Sequence, residues 1–357
     1  VRLITPGTIT EEALLDSHVA NYLTSIYKDE DDIAISWCDI STGNFFTTNI
    51  TAEFIDSELT RIRPGEILIS DDYYEEIQKS MILKDYLEIM TPQHETLFDH
   101  KKAEERICEV FNVSTIDSFG SFTKTELSAA GAIVEYLKIT QKGQIPILSI
   151  PVNLDRASTM SIDASTRRSL ELVESISGDS QSSLLHTIDF TVTGAGARAL
   201  VERLNSPITD ADEINNRLDS ISWFVTNETA TNSLRDIISN ITDLQRALSR
   251  ITVGRGGPRD LVSIRSGLSK IPAITSIFTD ALLKPKTIPE EINRLLNDLD
   301  NHDDLVNTLS QALTTNPPMT AAEGNFVKPG YDNRLDKLIF LRDEGRKFIS
   351  QLGERYK

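Results

Sequence analysis

Cysteine is scarce, with only Cys38 and Cys108 in 357 residues. Two thiols exclude a disulfide framework or a thiolate-built zinc site and imply a reducing compartment, the cytoplasm. The five histidines, His18, His94, His100, His186 and His302, include no H-E-x-x-H pattern and none sits beside a cysteine at ligand spacing. No stretch approaches about 18 consecutive apolar residues, which excludes an ordinary membrane-spanning helix. Val1 to Gly7 lack a charged segment followed by an apolar core, so no secretory signal is visible. A P-loop, a full G-x-G-x-x-G and a G-x-S-x-G nucleophile elbow are all missing. Positive charge is short as well: 36 Lys and Arg face 54 Asp and Glu, a net charge of −18. A surface that tracks phosphates needs the opposite sign.

The deficit is uneven. Residues 1–150 carry a net charge of −14, and residues 151–357 only −4. The patterning changes at the same place. In the first segment Ile33 to Asp39 predicts a strand, Ser41-Thr42-Gly43 a turn, and Asn44 to Thr48 its hairpin partner. Ala52 to Ile62 reads as a helix broken by Pro64-Gly65, Glu66 to Ser70 as a buried strand, Tyr73 to Met81 as a helix, and Leu87 to Met90 as a further strand. The chain itself begins in what reads as a strand. Thr123 and Glu126 form a capping box that opens a helix running to about Lys142-Gly143. Ile145 to Val152 reads as an extended linker, and the domain boundary is placed near residue 150. The first domain, 1–150, is therefore α/β with a small mixed sheet.

Residues 151–357 predict an all-α domain. Asp163, Asp210, Thr242-Asp243 and Thr287 to Glu290 each supply a helix-start signal. Ile214, Leu218, Ile221 and Val225 fall on one helical face, as do Leu261, Ile264, Leu268 and Ile271, and both stripes are expected to be buried. Leu338, Leu341, Gly345, Phe348 and Leu352 follow a heptad-like seam with no stop before Lys357. Both chain ends suggest a fragment of a longer protein.

Three chemical readings stay open on residues alone. Asp39, Asp71 and Asp72 at strand ends, with Glu58, could hold Mg²⁺ for phosphodiester cleavage. Thr193 to Ala199 has the form G-x-G-x-x-A after a strand-like Ile188 to Val192, and could receive a nucleotide phosphate or form a tight turn into a helix. Gly254 to Asp260 could present a backbone nest with Arg255 and Arg259, or an interhelix turn with Pro258 at the first helical position.

The ordered set Asp163 to Glu171, Ser183 to Leu185, Thr191 to Arg198, Ile214 with Arg217 to Asp219, Leu248 to Arg250, Gly257 to Leu261 and Gly330 to Asp336 resembles the MutS family of DNA mismatch-recognition proteins. Thr5 to Thr8, Glu12 to Leu15, Asp39 to Gly43 and Tyr136 to Lys142 fit the same family in the same order. The resemblance implies a connector domain with a ribonuclease-H-like fold over 1–150. It implies a helical core with the start of a lever over 151–357, truncated before the DNA clamp. The family's Phe-x-Glu wedge does not occur at any of the thirteen phenylalanines. The resemblance thus implies a parent that binds mismatched DNA, uses ATP and Mg²⁺, forms a homodimer and meets a MutL-type matchmaker through the connector. The chain itself is expected to be no enzyme and to hold no cofactor or metal. Asp163, Arg167, Arg168, Glu171, Thr193, Gly196, Arg198, Arg217, Gly257, Pro258, Arg259, Asp260, Gly330 and Tyr331 carry the motifs and are expected to be structural. The arginines are expected to pair with Asp163, Glu171, Asp219 or Asp260.

Overall fold

A computed structural model of the chain describes residues 3–80, 83–116, 120–143, 145–154, 158–177, 180–279 and 288–355. The first unit is built on strands β1 (Tyr22–Asp29), β2 (Asp32–Asp39), β3 (Asn44–Ile50), β4 (Glu66–Ser70), β5 (Met90–Gln93) and β6 (Val152–Asn153), in the order β5-β4-β1-β2-β3-β6. β1, β2 and β3 form an antiparallel meander, and β4, β5 and β6 add in parallel. This mixed sheet is the architecture expected of the connector.

Alternation along the strands decides which helix covers which face. Leu23, Cys38, Phe45 and Leu68 point to one face, where α4 (Lys124–Thr140) brings Ile133, Val134 and Leu137. Ile33, Ile35, Trp37, Ile67 and Ile69 point to the other, where α1 (Ile55–Ile62) and α2 (Asp71–Ser80) bring Leu59, Ile62 and Ile77. Behind α4 lies α3 (His100–Phe111), so close that a Cβ on Gly131 would overlap Ala103. The capping box forms as expected: Glu126 N–H donates to Thr123 Oγ1 (3.2 Å), and Thr123 N–H to Glu126 Oε2 (2.8 Å).

Several local expectations shift. β1 carries no place in the sequence reading, and the strand expected at the chain start is instead irregular chain leading to a 3-10 turn at Pro6–Thr8. Leu87 to Ile89 complete a 3-10 turn, and the strand follows them at Met90. Asp71 and Asp72 open α2 directly. The stretch 145–152 is anchored rather than free: Ser149 N–H donates to Gly43 O (2.7 Å), Phe45 N–H to Ser149 Oγ (3.1 Å), and β6 pairs with β3.

The second unit is helical: α5 (Ala164–Ser169), α6 (Leu184–Ile188), α7 (Gly194–Asn205), α8 (Ala211–Thr226), α9 (Glu228–Ile238), α10 (Leu244–Thr252), α11 (Pro258–Leu268), α12 (Ile271–Thr279), α13 (Glu290–Asn297), α14 (Asp303–Ala312) and α15 (Asn333–Arg355). Asp163, Asp210 and Asp243 cap α5, α8 and α10 as their positions predict. Thr287 lies outside the described residues, and α13 starts after Pro289. The predicted α8 stripe is overturned. Leu218, Ile221 and Val225 are exposed, because Trp223 stacks on Phe278 beside Ala230 and Ile292 and so turns another face inward. On α15 Leu338 and Leu341 are likewise exposed, while the Phe348 and Leu352 side chains lie outside the described residues. At 1.5 Å rise per residue this 23-residue helix is roughly 35 Å long. No helix among the described residues is long and apolar enough to cross a membrane.

Candidate functional site

Between the start of the chain and β1 runs an irregular strap, residues 10–21, with one 3-10 turn at Glu12–Leu14. Its backbone carbonyls have no ladder to join, so they need donors from elsewhere. A guanidinium offers five N–H donors in a fixed plane, the side chain best able to serve several such carbonyls at once. Arginines from the helical unit fill this role.

Arg246 on α10 is 4% exposed. Its Nη1 donates to Asp16 O (2.8 Å), Nη2 to Val19 O (2.9 Å) and Nε to Ser41 Oγ (3.2 Å). Ser41 donates in turn to Asp39 Oδ1 (2.6 Å), whose other oxygen accepts Asn21 N–H (3.2 Å). Three residues further along α10, Ser249 Oγ donates to Ile40 O (2.6 Å). Arg198 on α7 donates to Ser17 O (2.8 Å) and lies 2.7 Å from Asp243. Arg255, in the turn after α10, reaches Thr10, Glu11 Oε1 (2.7 Å) and Gln141 Oε1 (3.1 Å). Arg250 binds Asp260 (2.5 and 2.9 Å) and approaches Glu12 at 3.5 Å. Burial first, and then Arg198, pulls Arg246 below the usual guanidinium range, while Asp39, Asp243 and Asp16 act in the opposite direction. The acidic first unit and the arginines of the second thus meet in a joint of charge-assisted bonds.

The motif residues divide. Arg198 belongs to the joint, and Asp260 supports it by holding Arg250 and accepting Gly257 N–H (2.8 Å). The others either brace their own turn or tie it to a neighbouring segment. Asp163 is consumed by its own cap, accepting Thr166 N–H (2.9 Å), Ser165 Oγ (2.6 Å) and Thr166 Oγ1 (2.6 Å), and these bonds hold its carboxyl well below the usual range. Arg167 donates to Asn205 O (2.9 Å), Arg168 pairs with Asp85 (3.6 Å), Arg217 with Glu213 (3.5 Å), and Arg259 donates to Pro317 O (3.2 Å). Glu171 accepts Ile176 N–H (2.8 Å). Among the described residues, Asp260 is the one of the expected acid partners that holds an arginine. Thr193 caps α7 through Gly196 N–H (3.0 Å), Gly257 precedes Pro258 at the first position of α11, and a Cβ on Gly257 would overlap Met319 O. Gly330, with φ of 86°, donates to Asp336 Oδ2 (2.8 Å), and Tyr331 is exposed in the same turn before α15.

All three chemical readings fail on geometry. Tyr22 pairs with Asp39 and Ile26 with Ile69, so Asp39 and Asp71 sit at opposite ends of the sheet, about six residues or roughly 20 Å apart along the strands. Two-metal cleavage needs ions about 4 Å apart. Glu58 is already bound to Arg61 at 2.8 Å. Residues 189–192 form no strand before α7, and a Cβ on Gly194 would stand 2.6 Å from Ser17 O, so the strap occupies the place a phosphate would need. Arg255 and Arg259 diverge, one to the strap and one to Pro317.

Sequence reasoning missed Arg246 and the strap; it noticed Arg255 only as part of a phosphate nest and Ser249 only within a family motif. One signal was present: Arg246, Ser249 and Arg250 fall at i, i+3 and i+4 on one face of α10.

Comparison with known proteins agrees with this architecture. Residues 21–149 match MutS domain II and residues 165–355 match MutS domain III. The DNA mismatch repair protein MutS of Roseobacter denitrificans is 41% identical over 356 residues, covering 100% of this chain and 40% of the relative. That of Ruegeria pomeroyi is 41% identical over 357 residues, with the same coverage, and that of Wolbachia pipientis wMel is 35% identical over 381 residues, covering 100% of this chain and 45% of the relative. The chain therefore spans less than half the length of these curated relatives. With both domain matches lying in order along it, the chain belongs to the MutS family and comprises its domains II and III.

Proposed function

We propose that the chain is the mechanical middle of a mismatch-recognition protein. The α/β unit serves as connector, and the helical unit, ending in α15, as core and lever. The joint carries this reading: any rotation of α7 or α10 pulls on Ser17, Asp16 and Val19 through Arg198 and Arg246, and so on the strand-end Asp39 to which Ser41 is tied. Coupling between distant sites needs such a packed, discretely bonded element that both sites bias.

In this reading ATP and Mg²⁺, mismatch selection and homodimer formation belong to the parent protein, working in the cytoplasm, and the chain catalyses nothing by itself. The connector's acidic surface offers a MutL-type matchmaker a complementary face for a basic patch. Fluorescence anisotropy with matched and mismatched duplexes tests the first part: equal, weak binding of both is expected, and mismatch selectivity by this chain overturns it. In a full-length relative carrying this chain in place of its own domains II and III, Arg246→Ala is expected to leave ATP binding intact and to remove the response of ATP turnover to a mismatch. An unaltered response overturns the coupling.

A further inference from the structure

The strap is the greater part of a closed loop. Pro6 and Asn21 bound 16 residues, and their ends meet where Asn21 Nδ2 donates to Pro6 O (2.8 Å). The neck is tight: Gly65 N–H donates to Tyr22 O (2.9 Å), and a Cβ on Gly65 would stand 2.6 Å from Asn21 Oδ1. Beside it Gly7 N–H donates to Oε2 of Glu66 (3.0 Å), a buried side chain at the start of β4. The other oxygen of Glu66 accepts Tyr136 Oη of α4 (2.7 Å) and Thr91 Oγ1 of β5 (3.0 Å). The neck therefore belongs to the sheet unit.

Loops of about 6–16 residues whose ends meet are ordinarily packed by their own side chains and are often functional. The body of this one is not packed that way. No residue from Glu11 to Ala20 is buried, and the apolar Leu14 and Val19 stand 63% and 41% exposed. Its hold comes from the other unit: Arg255 at Glu11, Arg250 at Glu12, Arg198 at Ser17 O, and Arg246 at Asp16 O and Val19 O. The neck is thus fixed by one unit and the body by the other.

We propose that residues 6–21 are a clasp between the two units, a loop that opens and closes as one element while the sheet stays folded. On opening, the strap carbonyls and the guanidiniums exchange their mutual bonds for bonds to water, so the net cost is far below the gross one. With no apolar side chain of the body to expose, the clasp opens at lower free energy than β1 or α4. Glu66 and Asn21 at the neck and the arginines at the body bias one equilibrium, so a change at either grip is felt at the other. Its part as the release point between connector and core rests on the mechanical reading above.

Native-state hydrogen exchange of the whole 357-residue chain tests this at the amides of Gly7, Leu14 and Asn21, with Ile133 of α4 as reference. Arg246→Ala is expected to quicken Gly7 about tenfold, although Arg246 touches neither Gly7 nor Glu66. Glu66→Gln, which keeps the side chain's shape, is expected to quicken Asn21 about tenfold, although the Asn21 N–H is bonded to Asp39. Asn21→Ala, which removes the bond to Pro6 O, is expected to quicken Gly7 and Leu14 by one common factor. Ile133 is expected to change in none of them. Quickening confined to the amides next to each substitution shows separate bonds and overturns the clasp. So does equal quickening of Ile133, which means that the loop opens only with the whole sheet unit. The mismatch response of ATP turnover is a separate readout, so a failed clasp leaves the mechanical reading standing, and failure of that reading leaves the exchange result unchanged.

Discussion

In the α/β unit Leu23, Phe45, Leu68, Ile133 and Leu137 have no exposure, and both sheet faces are covered by helices. In the helical unit the described buried cluster is Trp223, Ala230, Phe278 and Ile292, while Leu218, Ile221, Val225 and Phe190 stand open to solvent. One half is held by contiguous apolar burial. The other is held by helix caps, by short interhelix turns such as Arg250–Asp260, and by the arginine joint to its neighbour. Apolar burial is non-directional and tolerates little movement once packed. Directed bonds on a sparse core permit opening at lower free energy. The difference suits a rigid block joined to a body whose helices shift.

The same deletion in both cores gives the sharpest test. Ile133→Ala is expected to destabilise the α/β unit by about 4–5 kcal/mol, and Ile292→Ala the helical unit by about 2–3 kcal/mol, both within the range for truncating a buried Ile. Urea unfolding followed by tryptophan fluorescence separates them, since Trp37 reports one unit and Trp223 the other. Equal losses break the comparison.

The joint comes next in size. Arg246→Ala leaves Asp16 O, Val19 O and Ser41 Oγ without that donor, and about 2–3 kcal/mol of stability is expected to be lost. Hydrogen exchange is expected to quicken at Asn21, whose N–H binds Asp39, while the amides of α4 stay protected. Arg246→Lys is expected to recover little, because one ammonium cannot reproduce the planar fork. Protection unchanged at Asn21 would show that the strap is held by other contacts. Asp260→Ala follows, at about 1–2 kcal/mol, since it frees both Arg250 and Gly257 N–H.

What was legible in the sequence was local. The Thr123–Glu126 box, the Asp163 and Asp210 caps and the Ser41 turn depend on residues within four positions of one another, so spacing alone predicts them. β1 was not legible, because buried Thr24 and Ser25 interrupt its apolar pattern. The exposed stripe of α8 misled because periodicity reports that a helix has two faces, while the Trp223–Phe278 stack decides which one turns inward. The family motifs placed Arg198 among residues worth watching but said nothing of Arg246, whose bond to Asp16 spans 230 positions. No local pattern encodes a contact of that range.

The smallest effect isolates a cap from the joint. Hydrogen bonds from Ser165 and Thr166 hold the Asp163 carboxyl below its unfolded value of about 3.9. A depressed acid contributes stability that is present above the unfolded value and lost as pH falls toward the folded one. The Thr166 amide resonance is therefore expected to stay constant from neutral pH to about 4 and to move only below it. Asp163→Asn keeps an acceptor at the cap but has no proton to gain, so its Thr166 amide is expected to show no such acid limb. A transition near the ordinary aspartate value in the unsubstituted protein would mean that the cap bonds are too weak to set the start of α5. In that case the turn linking the sheet unit to the helices rests on bonds outside the cap, among them Arg167 on Asn205, Arg168 on Asp85 and the bridge of Thr159 with Ile208, and the division between a block fixed by burial and a body fixed by directed bonds would begin further along the chain.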